Sequence, residues 1–191
     1  HGDPLGSSGG RPGPRSLLWA PHIVRTHIGF DTLWPAGHDA RVTTPSTTLF
    51  TGFPGFIGRR LIKTLGAKDE RARFVLLVEE RRFEAAEDAV AALGAEVPGL
   101  DGRLELLVGD ITDRHLGQSE EALVALAARV TCIWHLAAIY DLAVAERLAY
   151  RVNVVGTVNI LDFAERCAGL RRLNYVSTCY VSGDRTGLVR E

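Results

Sequence analysis

Three glycines in residues 51–58, spaced Gly-x-x-Gly-x-x-Gly, form the clearest chemical motif of the chain. The motif follows the β-prone run 47–50 and leads into the amphipathic stretch 59–65, so it lies between a predicted strand and a predicted helix. Glycine lets the backbone approach a ligand closely, and the start of a helix offers unpaired N–H groups and a partial positive charge. This arrangement predicts binding of a pyrophosphate.

Each glycine of the motif has a predicted role. Gly52 lets the chain turn at the end of the strand, and Gly55 lets the backbone approach the pyrophosphate without a Cβ in the way. Gly58 lets the helix pack close to the sheet. The residues of this stretch that are predicted to bind the ligand are Gly52, Phe53, Gly55, Phe56, Ile57 and Gly58. The alternative is a glycine-rich turn that binds nothing.

Charged residues 79–82 follow the second predicted strand, residues 74–78. A carboxylate at this position accepts hydrogen bonds from the adenosine ribose of NAD, whereas an arginine favours the 2′-phosphate of NADP. The chain has both, but Glu79 comes first, where it would repel a phosphate, and Arg81 follows. The pattern predicts a dinucleotide and favours NAD over NADP by a small margin. The alternative is a solvated start to the next helix.

Asp110 follows the third predicted strand, residues 104–108. Its carboxylate could accept a hydrogen bond from the adenine amino group while Ile111 covers the ring. Aspartate after a strand is also ordinary turn chemistry, so the residue has two readings.

The fourth predicted strand, residues 130–136, ends at Leu136 and is followed by Ala137 and Ala138. Small side chains at this point allow the backbone to lie close to the central part of the dinucleotide. His135 is either a hydrogen-bonded core histidine or a cofactor contact. The fifth predicted strand, residues 172–177, ends at Ser177 and is followed by Thr178. The hydroxyls of these two residues are suited either to a substrate carbonyl or to a structural hydrogen bond.

A long helix is predicted between these two strands, over residues 145–168. Asn153 lies on it, and a buried amide must be hydrogen-bonded, so we expect it to tie the helix to the backbone of a neighbouring strand. The predicted core face consists of Leu148, Val152, Val155, Val158 and Leu161.

Strands and helices alternate from residue 46 onward, with further helices predicted after the glycine motif and over residues 84–93 and 119–129. Gly66 and Gly94 are predicted to end the first two helices. This alternation predicts an α/β fold, a doubly wound parallel sheet of the Rossmann type. Ligands of such sheets bind beyond the carboxyl ends of the strands, where the motifs above fall.

The composition is that of one globular domain, with 191 residues, 46% hydrophobic, 24% charged and a net charge of −1. Neither a nucleic acid nor an anionic membrane is a predicted partner. The three cysteines, without C-x-x-C spacing, are typical of reduced thiols in a cytoplasmic protein. No apolar run reaches the roughly 18 residues of a membrane span, and no metal site is predicted.

Residues 1–44 are rich in Gly, Pro and Ser at their start and are predicted to be a disordered extension, with the cofactor domain over residues 45–191.

The motifs, in this order and spacing, resemble those of the extended short-chain dehydrogenase/reductases. They are residues 51–58, Gly109-Asp110, His135-Leu136-Ala137-Ala138, Asn153-x-x-Gly156-Thr157 and Val176-Ser177-Thr178. The resemblance runs from about residue 46 to the end of the chain. Residues 51–58 and 177–181 are most similar to the fatty-acyl-CoA and thioester reductases of the male sterility type, while sugar-nucleotide epimerases and dehydratases share the same frame.

The resemblance implies a catalytic role for Thr178, which takes the position of the Ser/Thr that hydrogen-bonds the substrate oxygen, and it implies a cofactor contact for Ser177 beside it. The family also uses a Tyr-x-x-x-Lys pair, in which the lysine lowers the pKa of the tyrosine. No tyrosine of this chain has a lysine four residues later, and no lysine follows Lys68.

The resemblance therefore implies the cofactor-binding half of an NAD(P)-dependent reductase, inactive alone and with a sheet incomplete on its C-terminal side. It implies an acyl or carbonyl substrate and is compatible with a homodimer. A non-catalytic redox sensor that binds NAD(P) and a sugar-nucleotide epimerase or dehydratase are the alternatives.

Overall fold

The structure is a computed structural model that describes residues 46–141, 143–177 and 187–188. Its strands are β1 (Thr47–Thr51), β2 (Arg73–Val78), β3 (Leu104–Val108), β4 (Val130–His135) and β5 (Arg172–Tyr175). Its α-helices are α1 (Phe56–Lys68), α2 (Phe83–Glu96), α3 (Glu120–Arg129), α4 (Glu146–Tyr150) and α5 (Gly156–Arg166). The predicted residues 1–44 extension lies outside the described part of the chain.

The strands form one parallel sheet in the order β3-β2-β1-β4-β5. The chain builds outward from β1 to β3, then crosses to the other side of β1 and continues with β4 and β5. This crossing confirms the predicted doubly wound fold and places the topological switch point between β1 and β4.

Both faces of the sheet carry apolar side chains. Successive side chains of a strand point to opposite sides, so each apolar strand contributes to both faces. On one side, strand residues Leu49, Val75 and Ile133 belong to a buried cluster with α3 and α5. The residues that these two helices contribute to it include Leu123, Leu126, Ile160 and Phe163. On the other side, the Phe50 ring lies 6.0 Å from that of Phe74 and 6.1 Å from that of Trp134, measured between centroids.

The glycines predicted to end α1 and α2 lie inside these helices instead. An added Cβ at Gly66 would stand 2.4 Å from Leu100 Cδ1, and one at Gly94 would stand 2.7 Å from Asp101 Cβ. Both glycines therefore serve close packing against the segment that follows α2. The helices end a few residues later, where the Asp69 and Val97 amides donate to carbonyls of the last turn.

The predicted long helix is confirmed in extent, but its predicted core face is wrong at Leu148 and Val158, whereas Val152 does pack against the buried cluster. α4 and α5 are joined without a break by a π-helical turn, Arg151–Val155. Leu148 and Val158 are 48% and 44% exposed, whereas Ile160 and Phe163 are buried. A π turn closes i→i+5 hydrogen bonds and holds about one extra residue, which rotates the following residues by roughly 100°.

Cys132 and Cys167 are free and buried, as the cysteine spacing predicts, and Cys179 lies outside the described residues. Burial raises the pKa of each of these two thiols to about 11, so both are protonated at neutral pH. In the part of the chain that the structure describes, no helix is long and apolar enough to cross a bilayer.

Candidate cofactor site

A cleft of about 420 Å³ lies at the carboxyl end of the sheet, beside the switch point. Its volume falls within the roughly 300–1,000 Å³ of small-molecule sites. All but two of the residues predicted to bind the dinucleotide line it. These are Gly52, Phe53, Gly55, Phe56, Ile57, Gly58, Glu79, Arg81, Ile111, Leu136, Ala137 and Ala138.

Asp110 and Ser177 are the two that do not line the cleft. The Asp110 carboxylate accepts hydrogen bonds from Thr112 N at 2.7 Å and from Thr112 Oγ1 at 2.9 Å, which is the turn chemistry given above as its alternative. Ser177 is exposed, and its neighbour Val176 lines the cleft instead. Thr178 lies outside the described residues. The adenine contact of Asp110 and the catalytic role of Thr178 stay predictions.

Further lining residues were not predicted as cofactor contacts. They are Thr51, Leu77, Arg82, Gly109, Ile139, Tyr140, Val152 and Val176. Thr51 ends a strand, Gly109 and Val176 directly follow one, and Leu77, Arg82, Ile139 and Tyr140 lie within five residues of a strand end, so nearness to a strand end is the available signal. Val152 is different, because it lies on the long helix, where it both packs against the buried cluster and lines the cleft.

The first two glycines of the turn lie too close to neighbouring backbone for a side chain to fit. Gly52 has φ +83°, and an added Cβ would lie 2.8 Å from Ala137 N. Gly55 donates its amide to Gly52 O at 2.9 Å, and an added Cβ there would lie 2.7 Å from the same oxygen. At Gly58 the nearest atom to an added Cβ is Gly52 O at 3.5 Å, an ordinary contact with the turn itself. The predicted need for close packing of the helix on the sheet at Gly58 is therefore wrong.

Helix α1 begins without a side-chain cap. Its N-cap residue is Gly55, and its first turn contains no acidic residue. By contrast, α3 is capped by Ser119, whose Oγ accepts from Ala122 N, and has Glu120 and Glu121 in its first turn. The first amides of a helix have no partners within it. The start of α1 is thus suited to an anion supplied by a ligand.

The charged wall of the cleft is formed by residues after β2. Glu79 and Arg81 form an ion pair. The hydrogen bond and charge of Glu79, with a smaller contribution from Asp110, raise the pKa of Arg81 above its ordinary value. The charge of Arg81 is therefore already met by a carboxylate within the cleft wall.

Of the two alternatives given for His135, the structure shows the hydrogen-bonded core histidine, because the side chain is buried and does not line the cleft. Its Nδ1 lies 2.7 Å from Thr51 Oγ1, and its Nε2 lies 3.0 Å from Thr157 Oγ1. Burial lowers its pKa from the ordinary 6.5 to about 4. The Thr51 oxygen also accepts from Leu136 N at 3.2 Å and Ala137 N at 3.1 Å, both in the segment that lines the cleft.

Two asparagines hold further walls of the cleft. The amide of Asn153 accepts from Ile139 N and donates to Ile139 O, each at 2.8 Å. The predicted tie is confirmed, although its partner follows β4 and is not part of the strand. Asn159, whose role was not predicted, donates to Ile111 O at 2.8 Å. Both asparagines lie on the long helix, so this helix positions two segments that line the cleft.

The doubly wound sheet, the glycine turn at the start of α1 and the cleft at the switch point define a dinucleotide-binding domain of the Rossmann type. The male sterility protein family, a family of NAD-binding domains, matches residues 50–191, and the chain belongs to it.

Curated relatives and solved structures agree with this family. Fatty acyl-CoA reductase 1 of Arabidopsis thaliana is 27% identical over 169 residues, which cover 76% of this chain and 33% of that protein. The terminal R domain from the myxalamid PKS-NRPS biosynthetic pathway is 28% identical with a TM-score of 0.60, covering 72% of this chain and 35% of that one. The reductase domain of a nonribosomal peptide synthetase from Mycobacterium tuberculosis is 28% identical with a TM-score of 0.58, covering 71% and 34%.

The chain thus spans about a third of the length of these relatives. The resemblance to extended short-chain reductases of the fatty-acyl-CoA and thioester branch is confirmed.

Substitution of the first and third glycines by alanine should have different effects on stability. Gly52→Ala forces a Cβ onto the backbone of Ala137 at a positive φ, and we expect the free energy of unfolding to fall by at least about 2 kcal/mol. Gly58→Ala meets only ordinary contacts, and the higher helix propensity of alanine should leave the free energy of unfolding unchanged or raise it by up to about 1 kcal/mol. Urea denaturation of both variants measures this difference. Equal losses would show that the turn tolerates a Cβ at Gly52.

Stability should fall with acid in a way that depends on His135. Above pH 6.5 neither state binds a proton at this ring, but between pH 6.5 and about 4 only the unfolded state does so. The contribution of His135 to the free energy of unfolding is therefore fully present above pH 6.5. It falls by up to about 3 kcal/mol as the pH decreases from 6.5 to about 4. Denaturation of the chain and of His135→Asn at several pH values isolates the effect, because the carboxylates are common to both. Parallel pH curves would contradict it.

Proposed function

We propose that this chain is the cofactor-binding half of an NAD(P)-dependent reductase that acts on a carbonyl or an acyl thioester such as a fatty acyl-CoA. Membership of the NAD-binding family carries the proposal, and the reductase names of its relatives support the reaction type. The residues of the cleft fit the cofactor. Glycines stand where a Cβ would collide, and the uncapped start of α1 faces no acidic side chain of its own first turn.

Each wall of the cleft has a proposed part in binding. The first amides of α1, at Phe56 and Ile57, hydrogen-bond the pyrophosphate, and Glu79 accepts from the adenosine ribose. Leu136, Ala137 and Ala138 place backbone against the middle of the cofactor. Reduced nicotinamide, when bound, supplies a hydride to the substrate carbon.

Thr178 is proposed to hydrogen-bond the substrate oxygen and so to stabilise the negative charge that develops on it. The proton for that oxygen requires a Tyr-x-x-x-Lys pair, which this sequence does not contain. The chain alone is therefore proposed to bind cofactor without turning it over.

The reductase proposal is tested by cofactor oxidation. We expect the 191-residue chain to bind NADH or NADPH in calorimetry but not to oxidise either with a fatty acyl-CoA. In the reductase that contains this chain, Thr178→Ala should lower kcat about 10²–10³-fold, since it removes a donor to the developing oxyanion.

Thr178→Ser should retain most of the activity in that reductase, and Ser177→Ala is the matched control on the neighbouring hydroxyl. Cofactor binding without acyl or carbonyl reduction by the longer protein would favour the redox sensor instead. No dinucleotide binding at all would overturn the proposal.

The cofactor is proposed to be NAD in preference to NADP. The support is the pairing of Arg81 with Glu79, which leaves a carboxylate in the wall where a 2′-phosphate would lie. Arg82 also lines the cleft, which keeps the expected preference modest.

Removing the charge of Glu79 should shift this preference toward NADP. In Glu79→Gln we expect the ratio of the NADP to the NAD dissociation constant to fall about 10-fold, because repulsion is lost and Arg81 is released. Glu80→Gln is the matched control, since this neighbouring carboxylate is exposed and does not line the cleft. Calorimetry at one fixed ionic strength gives both constants. Tighter binding of NADP by the unmodified chain, or an equal shift in Glu80→Gln, would refute this proposal.

A further inference from the structure

His135 lies beside the cleft and contacts three other elements of the domain. The ring is 1% exposed at the end of β4. Its nitrogens meet hydroxyls of Thr51, the last residue of β1, and Thr157 of α5. Its face stacks on Tyr175 of β5 at 5.3 Å between centroids with 17° between the planes. A residue that joins β1, β5 and α5 in this way can influence the geometry of the whole carboxyl edge.

The hydrogen-bond network determines which ring nitrogen carries the proton. The Thr157 hydroxyl donates its only hydrogen to Asn153 O at 2.7 Å, so it must accept from His135 Nε2–H at 3.0 Å. In a neutral ring Nδ1 is then an acceptor, and the Thr51 hydroxyl donates to it at 2.7 Å. Thr51 has lone pairs left for the amides of Leu136 and Ala137, which it receives at 3.2 and 3.1 Å.

We propose that His135 is a positioning residue for the cofactor site, acting as its neutral Nε2–H tautomer through the hydroxyl of Thr51. By accepting a hydrogen bond from the Thr51 hydroxyl, Nδ1 turns the oxygen lone pairs toward Leu136 N and Ala137 N and so holds this segment against the glycine turn. Gly52 and the Ala137 backbone are in close contact, since a Cβ added to Gly52 would lie 2.8 Å from Ala137 N. The inference rests on the cofactor site proposed above.

The opposite charge state cannot support this arrangement. An imidazolium would donate from Nδ1 as well, so the Thr51 hydrogen would have to turn toward amides that are themselves donors. In the described part of the chain, the groups recorded against the ring are Thr51, Thr157 and the Tyr175 ring, and burial is the cause of the low pKa of His135. The ring thus remains neutral through the physiological range.

Two amide substitutions separate the two ring nitrogens. In His135→Asn the side-chain oxygen can take the place of Nδ1 and accept from Thr51, whereas the amide of His135→Gln reaches the place of Nε2 and donates to Thr157. We expect His135→Asn to keep NAD(H) affinity within about 3-fold and His135→Gln to lose at least 10-fold. A role in packing alone would make affinity follow stability in both. Tyr175→Phe, which keeps the stacked ring outside the cleft, is the control and should bind normally.

The protonated nitrogen can also be observed directly, without any substitution that could prevent folding. Long-range proton–nitrogen NMR of the unmodified chain at pH 7 should show His135 protonated at Nε2 alone. Protonation at Nδ1, or at both nitrogens, would overturn the inference, as would equal affinities of the Asn and Gln variants. If the unmodified chain bound no dinucleotide, the cofactor site itself would be wrong while the NMR result would still test the tautomer.

Discussion

The contact between the end of β1 and the segment after β4 is the constraint on which the site depends. Two neighbouring parallel strands deliver their next residues to the same edge of the sheet, and here those residues meet without a side chain between them. Only glycine fits at position 52, and the Thr51 hydroxyl satisfies the two amides that face it. The cleft then opens where the chain directions diverge, as expected for the switch point of a doubly wound sheet.

The sequence was sufficient for the parts of the fold that depend on local pattern. Strands such as β2 contain a continuous apolar run, here residues 74–78, which is typical of a sheet covered on both faces, so their positions are predictable to within a residue or two. The glycine turn was recognisable because it stands between a strand and a helix. Since parallel strands bring their carboxyl ends together, the polar and small residues that follow them could be assigned to one site in advance.

What the sequence could not provide depended on contacts between distant residues. Helical periodicity assumes a constant 3.6 residues per turn, and the π turn at Arg151–Val155 broke that assumption. Glycine is a residue type typical of helix ends, but Gly66 and Gly94 lie against Leu100 and Asp101 in the folded chain, which gives them a packing role. The direction of the Asp110 carboxylate toward Thr112 likewise depends on the folded turn and not on residue type.

The open start of α1 links stability to function in this domain. A helix with glycine at its N-cap gives up a few tenths of a kcal/mol that a capping side chain would supply, and the absent acid in its first turn forgoes roughly 0.3–1 kcal/mol more. A phosphate bound at this turn would satisfy the backbone amides that a capping side chain satisfies in other helices. Natural selection for greater thermostability could not readily fill this position, because a carboxylate that stabilised the empty domain would occupy the place of its ligand.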